Sequence, residues 1–150
     1  MNERIAKRVE QDPKVAHDIT TVTYMIEIHC KGNHADRERP LLHSDGTELG
    51  IYGKHIPHVC EECAELVRYA EKRRAYCPKD PKPFCSYCDT HCYAPAQRQS
   101  ITEVMRYAGP RTMFSRHFPA AVKHVMDGRA AKREHEEQLR EQGSTKHGPE

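Results

Sequence analysis

Six cysteines fall within 33 residues of this chain, spaced Cys60-x2-Cys63-x13-Cys77-x7-Cys85-x2-Cys88-x3-Cys92. The two C-x2-C pairs let two thiolates converge on one ion from a turn or a helix start. A helix N-terminus also lowers thiol pKa and favours the ligating thiolate. The chemistry that fits is metal ligation, and two cofactors compete for it. Zinc takes four Cys or His ligands in a tetrahedron. An iron–sulfur cluster, such as a 4Fe-4S centre, usually takes four thiolates, often closely spaced and with proline near a ligand. Cys77-Pro78 and the run Cys85/Cys88/Cys92 favour a cluster, whereas Cys60/Cys63 set against Cys85/Cys88 suits zinc as well. Spacing leaves open which four converge and whether there are one or two sites. Buried free thiols and redox disulfides are the remaining alternatives, although seven unlinked thiols would be an unusual load for a cytosolic domain.

Cys30 stands apart, in His29-Cys30-x3-His34. It is either a further ligand, with His34 or His29 beside it, or a small buried core residue. The other histidines, His43, His55 and His58 among them, read as ordinary surface residues. Between 94 and 133 the chain carries Arg98, Arg106, Arg111, Arg116, Lys123, Arg129, Lys132 and Arg133 against only Glu103 and Asp127. Arg106 and Arg111 read as cofactor-flanking groups that offset thiolate charge, and the cations from Lys123 onward as a solvated face. A phosphate or nucleic-acid surface is the competing reading. Tyr93 and Tyr107 read as packing residues. There is no Ser-His-Asp arrangement, phosphate-binding glycine loop or H-E-x-x-H motif, so nothing beyond a metal centre supports an enzyme.

The elements that must position these residues come from a thin core. Of 150 residues only 23 are Leu, Ile, Val or Phe, below the roughly 20% under which chains tend towards disorder. Mean hydropathy is -0.89. Disorder of that kind usually also needs high net charge, and here 24 Lys and Arg face 22 Asp and Glu, for a net +2. A metal therefore has a structural role to fill, because its binding free energy becomes folding free energy. No run approaches the ~18 apolar residues of a membrane span. The charged N-terminus lacks a signal-peptide core, which points to the cytoplasm and to no membrane partner.

Helical spacing predicts a helix over 13–31, opened by Asp12-Pro13 and carrying Ile19, Val22, Ile26 and Cys30 inward. Its β-branched run, 19–23, leans the other way. Residues 33–57 read as a loop with a short hairpin pairing Leu41–Leu42 with Ile51–Tyr52. A helix over 60–75 follows, with Leu66, Val67, Tyr69 and Ala70 buried, then a proline- and cysteine-rich segment over 76–94. The next helix runs from Pro95 to about Tyr107 and is broken by Gly109-Pro110. Residues 111–127 suggest short helices divided near Pro119 and ended by Asp127-Gly128. From Arg129 the chain is charged, with a solvated helix over 131–142 and a disordered last eight residues. The expected fold is mainly α: one small helical domain over 1–128, organised around the cysteine-rich segment 60–93, with a flexible charged tail over 129–150.

Val59-Cys60-Glu61-Glu62-Cys63, Cys77-Pro78, Cys85-x2-Cys88-x2-His91-Cys92-Tyr93-x-Pro95 and Val104-Met105-Arg106-Tyr107-Ala108-Gly109-Pro110-Arg111 together resemble the nitrous oxide-stimulated promoter family, over about residues 15 to 128. The loop 33–57 looks like an insertion or variable region. The resemblance implies a cytoplasmic bacterial protein with a protective role under nitrosative stress. It adds weight to an iron centre, but nitric oxide attacks thiolate-bound zinc as well. The leading expectation is a cysteine-ligated metalloprotein, with an iron–sulfur cluster favoured, that serves sensing, electron transfer or protection with a redox or protein partner. Its alternative is a zinc-stabilised module that binds nucleic acid or protein through segment 94–133. A thiol redox enzyme using a C-x2-C pair is a third.

Overall fold

The computed structural model describes residues 2–77, 93–112 and 118–145. These residues form an all-helical domain of α1 (Glu3–Gln11), α2 (Pro13–Asn33), α3 (Asp45–Glu48), α4 (Glu61–Ala75), α5 (Pro95–Thr112) and α6 (Phe118–Thr145). The central helix is α2, which packs against α4 and α5, while α1 packs on α2 and α4.

Local chemistry explains the ends of these helices. Asn2 caps α1 by accepting the Arg4 and Ile5 N–H groups at 3.0 and 3.3 Å. Asp12 accepts the Lys14 N–H at 2.9 Å, with Pro13 in the first helical position where its missing N–H costs nothing. The strand-leaning run in α2 is held helical by tertiary packing. Thr20 and Thr21 donate their hydroxyls back to the Ala16 and His17 carbonyls, and Val15, Ile19, Thr23, Ile26 and Cys30 line one buried stripe. The helix dipole of α4 is complemented by Glu61 and Glu62 at its start and Lys72, Arg73 and Arg74 at its end.

Three expectations are corrected. First, α5 does not stop near Tyr107 but continues through Gly109-Pro110 to Thr112. Side chains satisfy carbonyls in this last turn: Arg111 Nη1 donates to the Tyr107 carbonyl at 2.8 Å and Thr112 Oγ1 to that of Gly109 at 2.6 Å. Second, the loop holds no Leu41–Leu42/Ile51–Tyr52 hairpin. Ser44 caps the single turn α3, Gly50 and Gly53 turn the chain at positive φ, and one antiparallel bridge pairs Leu41 with His58. Third, the residues after Gly128 are not a flexible charged tail. They continue α6, which begins at Phe118 with Pro119 in its tolerant first turn and runs to Thr145. One interior glycine costs a helix about 1 kcal/mol, and the Ala, Glu, Lys, Arg and Gln residues around it are strong helix formers. Residues 146–150 lie outside the described residues.

The loop contributes to the core. Leu42, Tyr52, Pro57 and Val59 are buried against Val15, Ile19 and Ile26 of α2, Val67 of α4 and Ile101, Val104 and Ala108 of α5. Polar clamps fix it. Glu27 of α2 takes the His55 ring at 2.8 Å on one carboxylate oxygen and the His58 backbone N–H at 2.7 Å on the other. His55, expected at the surface, is thus a fastening of the loop. Glu71 of α4 is only 1% exposed, and its Oε1 accepts the Ser44 and Tyr52 hydroxyls, each at 2.7 Å. Tyr52 in turn meets Thr23 of α2 at 3.0 Å. Among the described residues no helix is long and apolar enough to cross a membrane.

Candidate metal centre

The loop's two ends carry the chemistry. Cys30 lies on the last turn of α2 and His34, at i+4, is its C-cap, whose N–H still bonds to the Cys30 carbonyl at 2.8 Å, so the two residues stand one above the other. Cys60 is the N-cap of α4 and Cys63 sits in its first turn. Docking α4 on α2 brings all four together: the Sγ atoms of Cys30, Cys60 and Cys63 and a ring nitrogen of His34 lie within 4.8 Å of one another. His34 Nδ1 is 3.5 Å from Cys60 Sγ and 3.4 Å from Cys63 Sγ. The three cysteines are buried. Among the described residues no disulfide joins them.

The sulfurs differ in their surroundings. Cys30 Sγ accepts the Cys60 backbone N–H at 3.3 Å, and Cys60 Sγ accepts Arg37 Nη1 at 3.7 Å. Arg37 is placed by a turn in which its N–H donates to the His34 carbonyl at 3.0 Å, and it is braced by Glu62 at 2.6 Å. Burial works to raise the Cys60 thiol, but the Cys63 backbone N–H and the Arg37 guanidinium outweigh it and hold the thiol below its ordinary value. Burial pushes the Cys30 and Cys63 thiols up, and for Cys63 the neighbouring Cys30 adds to the rise. Of the three thiols, Cys60 is therefore the one that gives up its proton most readily. A divalent cation held among the three sulfurs and His34 would favour the thiolate form of each cysteine.

Of the residues expected to ligate, Cys30, Cys60 and Cys63 meet. Cys77 is half-buried just past α4, where its N–H bonds to the Arg74 carbonyl, outside the four-residue group. Cys85, Cys88 and Cys92 lie outside the described residues. Arg106 is exposed on the wall of a shallow cleft with Tyr93, Arg98 and Thr102. Arg111 lies over the Tyr107 ring, 3.7 Å from its centroid. The cation that touches a cluster sulfur is Arg37, which sequence reasoning did not single out. His34 was named only as a neighbour of Cys30. The signal that completes the set is the i, i+4 spacing of Cys30 and His34, because only that pair adds one sulfur and one nitrogen to the C-x2-C thiolates on a helix end.

The family model described as nitrous oxide-stimulated promoter matches residues 13–137. A protein of Escherichia coli (strain K12), named "Uncharacterized protein YgbA", is 41% identical over 68 residues, which is 45% of this chain and 57% of that protein. The chain thus spans a little over half the length of this curated relative. No solved structure matches it.

Proposed function

The chain belongs to the nitrous oxide-stimulated promoter family, and we propose that it is a zinc-stabilised helical interaction module in which Cys30, His34, Cys60 and Cys63 hold one Zn2+. The observation that carries this reading is the pair of N···S distances at His34, 3.4 and 3.5 Å. Tetrahedral zinc with Zn–S of about 2.3 Å and Zn–N of about 2.0–2.1 Å requires N···S edges of about 3.5 Å. A 4Fe-4S cluster instead spreads four thiolates over separate irons. The centre has four protein ligands and no open position, so the ion supplies folding energy rather than a reaction site. The family's association with nitrogen oxides then reads as a condition in which the protein works, and a partner meets the exposed arginines of α5 and α6.

Three cysteines and His34 complete one set and leave four thiols: Cys77, Cys85, Cys88 and Cys92. We assign these to a second centre on count and donor type alone. Four closely spaced thiols are the donor set of an iron–sulfur cluster, and the iron reading attaches to them.

Metal and acid-labile sulfide analysis of protein purified without oxygen tests both assignments. The expected result is one zinc per chain, lost in Cys30→Ser and Cys63→Ser, with iron and sulfide lost only when the other four cysteines are replaced. Chelation of the zinc should also abolish the cooperative thermal transition. Zinc retained at one per chain in the Cys30→Ser/Cys63→Ser double variant would overturn the first assignment. Absence of any metal dependent on the other four would overturn the second.

A further inference from the structure

The motif Val104–Arg111 is long and distinctive, yet metal ligation uses none of it. Its inward residues Val104 and Ala108 are core, and of the others Tyr107 and Arg111 make the contacts that lead towards the cysteine–histidine group. These two begin a column of groups that ends on a metal ligand. The Arg111 guanidinium lies 3.7 Å from the Tyr107 ring centroid and is fixed there by its bond to the Tyr107 carbonyl. The Tyr107 ring meets His29 edge-on at 5.7 Å and 89°, and His29 meets His34 edge-on at 5.6 Å and 90°. Edge-to-face contacts of this kind fix the relative orientation of rings, because the positive edge of one is held against the negative face of the next.

Two further observations show that the contacts orient the rings. His29 Nδ1 is buried without a hydrogen-bond partner among the described residues, so packing rather than a hydrogen bond fixes this ring. Gly32, one turn on from His29, gives Tyr107 the room to approach α2: a Cβ there would lie 2.5 Å from the ring's Cζ and closer still to its hydroxyl.

We infer that His29 and Tyr107, backed by Arg111, are positioning residues that hold the His34 imidazole at the metal, so that occupancy of the centre is transmitted to the C-terminal half of α5. This rests on the zinc reading above. Outer-shell hydrogen-bond partners that fix a ligating histidine commonly contribute 10–100-fold to affinity, ring packing that fixes the same orientation is expected at the lower end of that range, and a coupling between two places is reciprocal. Arg111 would thereby act on the centre through two rings, at a distance, rather than by offsetting thiolate charge directly.

The test is competition for Zn2+ against a chromophoric chelator, using the full chain, together with amide hydrogen exchange over residues 104–112 with and without zinc. Tyr107→Leu and His29→Ala should weaken zinc by about 10-fold. His29→Phe keeps the ring and loses both nitrogens, so it should stay within about threefold of the native chain. That outcome separates ring packing from ligation by His29, and a general loss of stability would not produce it. Val15→Ala, a core change remote from the column in sequence, should lower the melting temperature without this pattern. Zinc should slow exchange at 104–112 in the native chain, and His29→Ala should lose that slowing at 104–112 while keeping it in α4 at saturating zinc. Unchanged zinc affinity in Tyr107→Leu and His29→Ala, or unchanged exchange on zinc binding, would overturn the column. If the native chain bound no zinc, the zinc reading would fail and the column with it. Zinc binding by the native chain with unaffected variants would remove the column alone. Should Tyr107→Leu fail to fold, the contrast of His29→Ala with His29→Phe, in zinc affinity and in exchange at 104–112, still decides.

Discussion

Glu71 shows how much a single side chain can hold in a protein with so little core. It is a carboxyl at 1% exposure, and it joins the Ser44 cap of α3, Tyr52 of the loop and, through Tyr52, Thr23 of α2. Burial raises its pKa; the hydrogen bonds from Ser44, Tyr52 and the Gly46 N–H offset this only in part, and Asp45 adds to the rise. Its Oε2 is buried without a partner among the described residues, which suits a proton better than a charge. The sign of the pH dependence follows. A carboxyl with a raised folded pKa contributes stability that is fully present below its unfolded value and is lost as pH rises through the folded value. Glu71→Gln stays neutral throughout, so its stability relative to the native chain should increase from pH 4 to pH 8. The same metal-ligand titrations act on both proteins and cancel in the difference. Thermal melts of the two at several pH values check this, and parallel pH profiles would show that Glu71 is ionised in the fold.

At the scale of elements, the close approach of α2 and α5 hinges on Gly32. A methyl group there collides with the Tyr107 ring, so either the ring or the helix must move. Overpacking of this kind costs typically 1–3 kcal/mol. Gly32→Ala should therefore destabilise the protein by about that amount, even though alanine is the better helix former by up to ~1 kcal/mol. Adding Tyr107→Phe should recover part of the loss by removing the nearest clashing atom. Denaturant melts of the single and double variants measure it, and a stabilised Gly32→Ala would mean that the contact is absent. The loop obeys the same logic of fastening. Its 34–60 span begins and ends on members of the Cys/His group, and Glu27, Glu71 and the Leu41–His58 bridge pin its interior, so a metal held there would close a loop whose path is already set.

For the molecule as a whole, near-balanced charge hides an uneven distribution. The net charge is +2; on α6 the exposed Arg129, Lys132 and Arg133 are followed by the exposed Glu134, Glu136, Glu137 and Glu141, whereas Arg98 and Arg106 on α5 are exposed with Glu103 the only acidic residue between them. If the partner of the proposed module is a nucleic acid, affinity should fall steeply with salt, because each neutralised phosphate releases counterions. Arg98→Ala/Arg106→Ala should weaken binding of a single-stranded oligonucleotide and reduce the salt slope by about two. Absence of binding at low salt would leave a protein partner as the form of the proposal to pursue.

Much of this was legible in the residues. The Asp12-Pro13 start of α2, the acidic-to-basic run of α4 and the inward Ile101 and Val104 of α5 are local signals, and local signals survive into the fold because propensity, capping and periodicity act over a few residues. Donor types were legible in the same way, since a C-x2-C pair converges on its own backbone turn. Which donors share one ion was not, because that depends on helices 30 residues apart in sequence docking along one face. Cys30 read equally as a ligand, with His34 or His29 beside it, and as a core residue until α2 met α4. Arg37 became visible only when the loop turned it back over Cys60. The continuation of α5 through Pro110 likewise depended on side chains capping carbonyls in three dimensions. The sequence by itself determined the mainly helical class, the bodies of α2, α4 and α5 and the Cys and His donor types, because these are local signals. The tertiary structure decided the Cys30–His34–Cys60–Cys63 set, because convergence of four donors on one point is a property of packing between elements and not of spacing within them.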